Sequence, residues 1–257
     1  MVTVIFVGTS GWQYRDWRGP FYPYEVPQRL WLEHYAQRFV TVESNNAFYR
    51  LPERKTFEDW RRRTPEGFVM AVKVSRYLTH IKRLRDPEEP VARFLDRVAG
   101  LGDKLGPVLL QLPPTLRADP DLLAAALAEF PPHVRVAVEP RHESWWSDQV
   151  RRVLVKHRAA LCWADRHTRP VTPLWRTAEW GYLRLHQGRF RPGYGRLALT
   201  SWVQRISEAF GRTREVWVYF NNDPQAAAPA DACDFSRLAE QHGLPVRRPL
   251  LSGNRMG

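Results

Sequence analysis

Apolar and polar positions along this chain repeat one order. A short run of β-branched or aromatic residues ends abruptly in a polar group, and a longer stretch with helical spacing follows. The clearest run is Val40-Thr41-Val42, which stops at Glu43 and leads into Asn45, Asn46 and Tyr49. Such runs favour buried strands. A carboxylate at the end of one is costly to bury unless something pairs with it. The same pattern predicts strands over residues 2–7, 40–43, 68–74, 108–111, 134–139, 160–163, 182–186 and 216–220. It predicts helices over residues 27–39, 55–62, 91–101, 120–130, 148–157, 200–210 and 235–242. Pro27 and Pro120 fall in plausible first turns, where a missing N–H costs little. The sixth connection, residues 166–181, shows no helical period.

Strands alternating with helices imply parallel pairing and right-handed crossovers. Eight such units predict an α/β fold, a single (β/α)8 TIM barrel over residues 1–257, with a flexible tail after about residue 250. An open, doubly wound sheet is the alternative. Side chains alternate along a strand with period two. Glu43 therefore shares a face with Thr41, Lys73 with Ala71, Gln111 with Leu109, and Glu139 with Ala137. His186 shares one with Arg184 and Tyr182, and Asn221 with Tyr219. The opposite face carries Val42, Val72, Val136, Val138, Leu183 and Leu185. The polar stops thus fall on the inward phase, at the strand ends where enzymes of this fold keep their active sites.

Composition fits a globular protein with a sizeable core, 44% hydrophobic and 26% charged. The net charge of +12 favours a phosphorylated small ligand or nucleic acid as partner, although an arginine-rich composition alone gives the same excess. The start, MVTVIFVGTSG, has no basic leader and turns polar after seven residues. A cytoplasmic protein without a membrane partner is expected, and no protein partner is indicated. Cys162 and Cys233 supply neither a disulfide framework nor zinc spacing.

The loops after the strands mix aromatic and basic residues. Residues 8–23 hold Trp12, Tyr14 and Trp17 beside Arg15 and Arg18. His80 lies among Arg76, Lys82 and Arg83, and Arg141, His142, Trp145 and Trp146 follow the fifth strand. Aromatic and basic neighbours can stack rings while holding phosphates. The same tryptophans can instead form small cores beneath long loops.

The segments GTSGWQYRDWRGPFYP, VESNNAFYRLP, FVMAVKVSRYLTH, VLLQLPP, VEPRHESW, RLHQG and WVYFNND span nearly the whole chain. With them the sequence resembles the YecE-like family, domain of unknown function 72. The resemblance implies a TIM barrel similar to the endonuclease IV branch, and on that ground DNA or phosphoester chemistry has been suggested for the family. It implies no particular reaction. Pro140 stands where the family often has Phe, and Gln187 is inserted where it often reads His-Gly.

Glu43 and Glu139 are candidate acid and base, one of them raised in pKa if they face each other. Alternatively each makes a structural ion pair with Lys73, Arg141 or Arg184. Lys73 can anchor a phosphate or, with a depressed pKa, act as nucleophile or base. His186 completes the catalytic set. Glu43, Glu139, Asp165 and His186 together could hold a divalent metal such as Mg²⁺ or Mn²⁺, against which Lys73 projects into the same space. Trp12, Tyr14, Asn45, Tyr49, His80, Gln111, Arg141, His142, Trp145, Arg184 and Asn221 are candidate substrate contacts. The best-fitting activity is hydrolysis or lyase chemistry at a phosphoester or glycosidic bond. The alternative is a non-catalytic nucleic-acid-binding protein that uses a basic, aromatic mouth.

Overall fold

In the computed structural model, which describes residues 3–189, 191–211 and 215–249, the apolar runs form eight parallel strands. They are β1 Val4–Thr9, β2 Thr41–Ser44, β3 Val69–Lys73, β4 Leu105–Gln111, β5 Val136–Glu139, β6 Ala160–Arg166, β7 Trp180–Leu185 and β8 Glu215–Phe220. Val2 and the tail after about residue 250 lie outside the described residues. Strands pair around the ring in the order β1, β8, β7, β6, β5, β4, β3, β2. β1 and β2 then meet through a single parallel bridge, Ser10 to Glu43. The sheet is thus a nearly closed barrel, and the open doubly wound alternative fails because its first two strands come together.

Period two sorts the strand residues into two layers. Val42, Val72, Val136, Val138, Leu183 and Leu185 face outward and pack under the helices. A second cluster fills the barrel: Phe6, Trp180, Tyr182, Trp217 and Tyr219 from β1, β7 and β8, against Ala71, Ala137, Ala160 and Cys162 from β3, β5 and β6. Large rings on one side meet small side chains on the other, which keeps the interior at native packing density. Phe6 stacks on Trp217 at 4.0 Å, and Tyr219 Oη reaches Thr41 Oγ1 at 2.8 Å across the barrel.

The helices of the outer layer are Trp31–Ala36, Arg54–Arg63, Glu88–Val98, Pro120–Ala128, Asp148–Lys156, Arg196–Phe210 and Ala227–Gln241. The last begins eight residues before its predicted start at 235. Pro229 does not prevent this, because the first N–H groups of a helix have no intrahelical partner to lose. The sixth connection has no helix. Arg169–Pro170 returns as an antiparallel strand on the end of β6, through His167 and Thr168 at φ 51 and 67. The chain beyond it is stapled to β6 by hydroxyls: Thr172 Oγ1 accepts from Ala164 N at 3.0 Å and Thr177 Oγ1 from Leu161 N at 2.8 Å. Those side chains satisfy backbone groups and cover a flank that a crossover helix covers elsewhere.

Closure depends on a close backbone approach at the seam. A Cβ on Gly8 would sit 2.2 Å from the carbonyl oxygen of Thr41. Gly8→Ala must therefore part β1 from β2 or shift both. It is expected to destabilise the fold by about 1–3 kcal/mol or more, read as a lower midpoint in urea unfolding. An unchanged midpoint would count against closure at this seam.

Candidate functional site

The polar strand ends converge at the C-terminal mouth of the barrel, as their inward phase requires. At its centre is Arg184, one position before the end of β7, with Leu183 and Leu185 directed outward. Its guanidinium lies between the two strand-end glutamates. Nη2 and Nε donate to Glu43 Oε1 at 2.9 and 3.2 Å, and Nη1 donates to Glu139 Oε2 at 2.7 Å. All three side chains are at most 2% exposed. Ser10 Oγ also donates to Glu43 Oε1, and Tyr182 Oη donates to Oε2 at 2.6 Å. Arg141 holds Glu139 Oε1 from above, Nε at 3.1 Å and Nη2 at 3.0 Å.

This arrangement corrects the expected acid–base pairing of Glu43 and Glu139. Repulsion between them is replaced by attraction to a shared cation. Burial acts against ionisation of Glu139, but the charge of Arg184, a hydrogen bond from His186 and the charge of Arg141 outweigh it, and its carboxyl lies well below the usual range. Glu43 is fully enclosed, and its carboxylate oxygens accept from Ser10, Tyr182 and Arg184. Both glutamates form the platform of the mouth. Among the described residues no group of three His, Cys, Asp or Glu side chains is placed to hold a metal ion, so Glu43, Glu139, Asp165 and His186 do not make a ligand set. Arg184 fills the space between the two glutamates.

Lys73, at the end of β3, takes no part in the ionic tie. It is 8% exposed, and among the described residues nothing hydrogen-bonds or ion-pairs with it. Its Nζ sits 3.8 Å above the ring of Phe48, on the short helix Asn46–Tyr49 that follows β2. Burial, then the charge of Arg184, pushes the amine down to about 8. His80 packs edge-on against the same ring at 4.9 Å. Burial and the charges of Lys73, Arg76 and Arg141 lower its pKa.

His186 follows β7. Asn221 Nδ2 lies 2.9 Å from its Nδ1, which therefore accepts, leaving the ring proton on Nε2, 3.6 Å from Glu139 Oε1. Its backbone N–H donates to Asp165 Oδ1 at 2.7 Å, and Tyr194 Oη donates to both oxygens of that carboxylate. Burial outweighs these bonds and raises the Asp165 pKa. The inserted Gln187 is exposed at the rim, its N–H held by Tyr194 Oη at 3.0 Å. A cavity of about 660 Å³ opens beside the platform, with Glu139, Asp165 and His186 at its base and Arg141, His142 and Trp146 in its wall.

Other candidates lie elsewhere. Trp12 is buried edge-on against Trp60 at 5.3 Å, and Trp145 is buried with its Nε1 donating to Leu116 O at 2.8 Å. Both are core residues, which corrects their reading as substrate contacts, and Trp146 is the tryptophan that reaches the cavity. The aromatic first loop is a small core of its own: Tyr22 stacks on Trp31 at 4.4 Å, and Tyr14 tilts over Trp17 at 4.9 Å with its hydroxyl donating to Ser10 O. Tyr49 is 74% exposed on the rim, Asn45 is half-buried, and Gln111 is buried at the end of β4. His142 Nδ1 accepts from Ser144 N at 3.1 Å, capping a turn at the cavity edge. Sequence reasoning did not select Ser10, Tyr182, Trp146 or Asp223 as site residues. Tyr182 and Trp146 carried a usable signal in strand phase and loop position.

A family model described as protein of unknown function DUF72 matches residues 6–253. The protein called UPF0759 protein YecE, from Escherichia coli strain K12, is 30% identical over 150 residues, 56% of this chain and 51% of the relative. The chain thus aligns with about half the length of that curated relative. The crystal structure of a DUF72 family protein from Thermotoga maritima MSB8 superposes with a TM-score of 0.80 at 25% identity, covering 92% of this chain and 99% of that one. A DUF72 family protein from Enterococcus faecalis V583 gives 0.78 at 20%, covering 92% and 96%, a likeness of fold.

Removing Arg184 tests the ionic tie. Arg184→Met leaves buried Glu43 without its cation and Glu139 with Arg141 alone, and breaking such a pair costs about 3–5 kcal/mol. The deficit should be largest near neutral pH. Stability from the depressed Glu139 pKa is present above the unfolded value and lost as pH falls through the folded one, whereas the variant gains as its stranded carboxyls protonate. Thermal melts of both proteins should therefore converge toward acid pH. A constant gap would deny that the loss is ionic.

Proposed function

The chain belongs to the DUF72 family of proteins of unknown function, and from that premise we propose that its barrel mouth is the reaction site of an enzyme, of hydrolase or lyase type, acting on a small phosphorylated substrate. The observation that carries this reading is Lys73. A buried ammonium without a carboxylate partner is costly. The cation–π contact with Phe48 offsets only about 0.5–2 kcal/mol of that. Around it, Lys73, Arg141 and Arg184 face Glu43 and Glu139, which leaves one positive charge uncompensated. An anionic substrate group supplies the missing partner. The exposed Arg141, bound to Glu139 along one edge, is available to the same anion.

With an amine held down to about 8, Lys73 exchanges its proton near neutral pH and can act as base or nucleophile once the anion is bound by its neighbours. His186, with Nε2–H directed at Glu139 and Nδ1 at Asn221, is the second proton carrier. The adjoining cavity, floored by acids and walled by Trp146 and Arg141, has room for the rest of such a molecule. Strand-end acids among the lining of this recess favour an enzyme over a binder of extended nucleic acid.

Two measurements test this. Inorganic phosphate and a panel of phosphorylated metabolites should raise the melting temperature, and Lys73→Met should abolish the effect. A single-stranded oligonucleotide that binds with steep salt dependence, while every small phosphate fails, would replace the enzyme reading with nucleic-acid binding. Lys73 also has its own signature in stability. Between about pH 8 and 10.5 the unfolded chain binds a proton that the folded chain does not, so this group's cost is full below that window and is relieved as pH rises through it. Without ligand, Lys73→Met should be more stable than the parent by about 1–3 kcal/mol at pH 7. The gap should close at the upper end of the window. A variant less stable than the parent at pH 7 would mean that Lys73 has a structural partner.

A further inference from the structure

Asp223 lies beyond β8, after Asn221 and Asn222, where the sequence suggests only a turn before Pro224. Its carboxyl is half-buried at the edge of the mouth. Oδ1 is inaccessible and has no hydrogen-bond partner among the described residues. The backbone around it is fixed from two sides. Trp17 Nε1 donates to the Asp223 carbonyl at 2.9 Å, and Gln225 N donates to Asp16 Oδ2 at 2.8 Å. Gln225 and Ala226 hold φ values of 61 and 56, a left-handed conformation that costs non-glycine residues about 1–3 kcal/mol each. Strain of that kind persists where the surroundings over-determine a position.

The charged and titratable groups facing this carboxyl are Tyr14 and Asp16 from the loop after β1, Glu43 from β2 and Arg184 from β7. Arg184 already serves two carboxylates. Tyr14 gives its hydroxyl proton to Ser10 O at 2.6 Å. An ionised Asp223 would add a third negative charge around Arg184, which two carboxylates already engage. A protonated Asp223 has an O–H of its own to give.

We propose that Asp223 is a further proton-transferring group of this mouth, beyond Lys73 and His186, delivering its proton to a substrate oxygen as the bond to that oxygen breaks. This role rests on the reading of the mouth as a reaction site. The transfer leaves a carboxylate on Asp223, which the Tyr14 hydroxyl can then stabilise by turning from the Ser10 carbonyl. Burial raises the carboxyl to about 7, with Tyr14 and Arg184 acting against it, so the acid form is populated at neutral pH; Glu43 and Arg184 act on both this carboxyl and the Lys73 amine, which is held down to about 8. Two groups brought to adjacent pKa values from opposite directions make an acid and a base at one pH.

The test needs no substrate. Protein carrying aspartate labelled with carbon-13 at the side-chain carboxyl is titrated by NMR, and the Asp223→Asn spectrum identifies the resonance. In parallel the unlabelled protein is treated with a carbodiimide and glycinamide at about pH 6.5, and the modified carboxyls are mapped by mass spectrometry. The expected result is a midpoint near pH 7, with Asp223 modified while Glu43, Glu139 and Asp165 are spared. A midpoint near the ordinary 3.8 overturns the proposal, and so does a carboxyl that resists modification, since it could not reach a substrate. If Asp223→Asn fails to fold, Asp223→Ser serves for assignment, and the carbodiimide result on the parent protein stands by itself. Neither readout involves an anionic ligand, so failure of phosphate to bind would count against the Lys73 reading and leave this one to its own data.

Discussion

The structure depends on one ionic tie, the guanidinium of Arg184 held between Glu43 and Glu139 inside the barrel mouth. Three charges withdrawn from water carry a large desolvation cost, and their mutual attraction repays it only with good geometry and filled hydrogen-bonding positions. That geometry is supplied by strands far apart in sequence. β2, β5 and β7 must each present its residue to the same level of the same interior, which requires a closed ring. The seam between β1 and β2, with Gly8 against Thr41 and Ser10 bound to Glu43, is therefore as much a part of the tie as its charges. A buried triad of this kind is weak evidence for stability, since apolar residues could fill the same space. What the triad provides is a fixed electrostatic floor.

That floor shapes what stands on it. Burial first, and then repulsion by the already engaged Arg184, depress the pKa of Lys73, which sits over Phe48 and among the described residues has no hydrogen-bond or ion-pair partner. Burial raises the Asp223 carboxyl by more than the already engaged Arg184 lowers it. Glu139, anchored by Arg141 and Arg184, faces the Nε2 proton of His186. In the proposed reaction site the proton carriers are thus groups outside the tie, and not the two glutamates that form it.

The loops show a second economy. The aromatic segment after β1 spends its rings on a private core around Trp17, Tyr22 and Trp31, and that core fixes the backbone at Asp223 through Trp17 Nε1. After β6, where a helix is missing, threonine hydroxyls hold an extended segment to the strand, and this segment contributes Val171 and Thr172 to the cavity wall. The irregular connection after β6 therefore lies beside the cavity.

The sequence by itself determined the barrel and the level of the site. Runs of β-branched residues ending at Glu43, Lys73, Gln111 and Glu139 mark strands, and period two assigns the inward face, because both follow from backbone geometry that is local to each strand. The helix-free sixth connection was legible for the same reason. Only the tertiary structure decided who pairs with whom. Lys73, Arg141 and Arg184 were equal partners for the glutamates in the sequence. Ring closure and the lengths of the side chains gave the place between the glutamates to Arg184 and left Lys73 to an aromatic ring. Trp145 and Trp146 are neighbours in a loop, and a turn after β5 sends one into the core and the other to the cavity. Asp223 reads as a turn residue until the loop after β1 folds over it. These outcomes depend on distances across the barrel between segments more than a hundred residues apart, such as Glu43 and Arg184, and no periodicity along the chain encodes them.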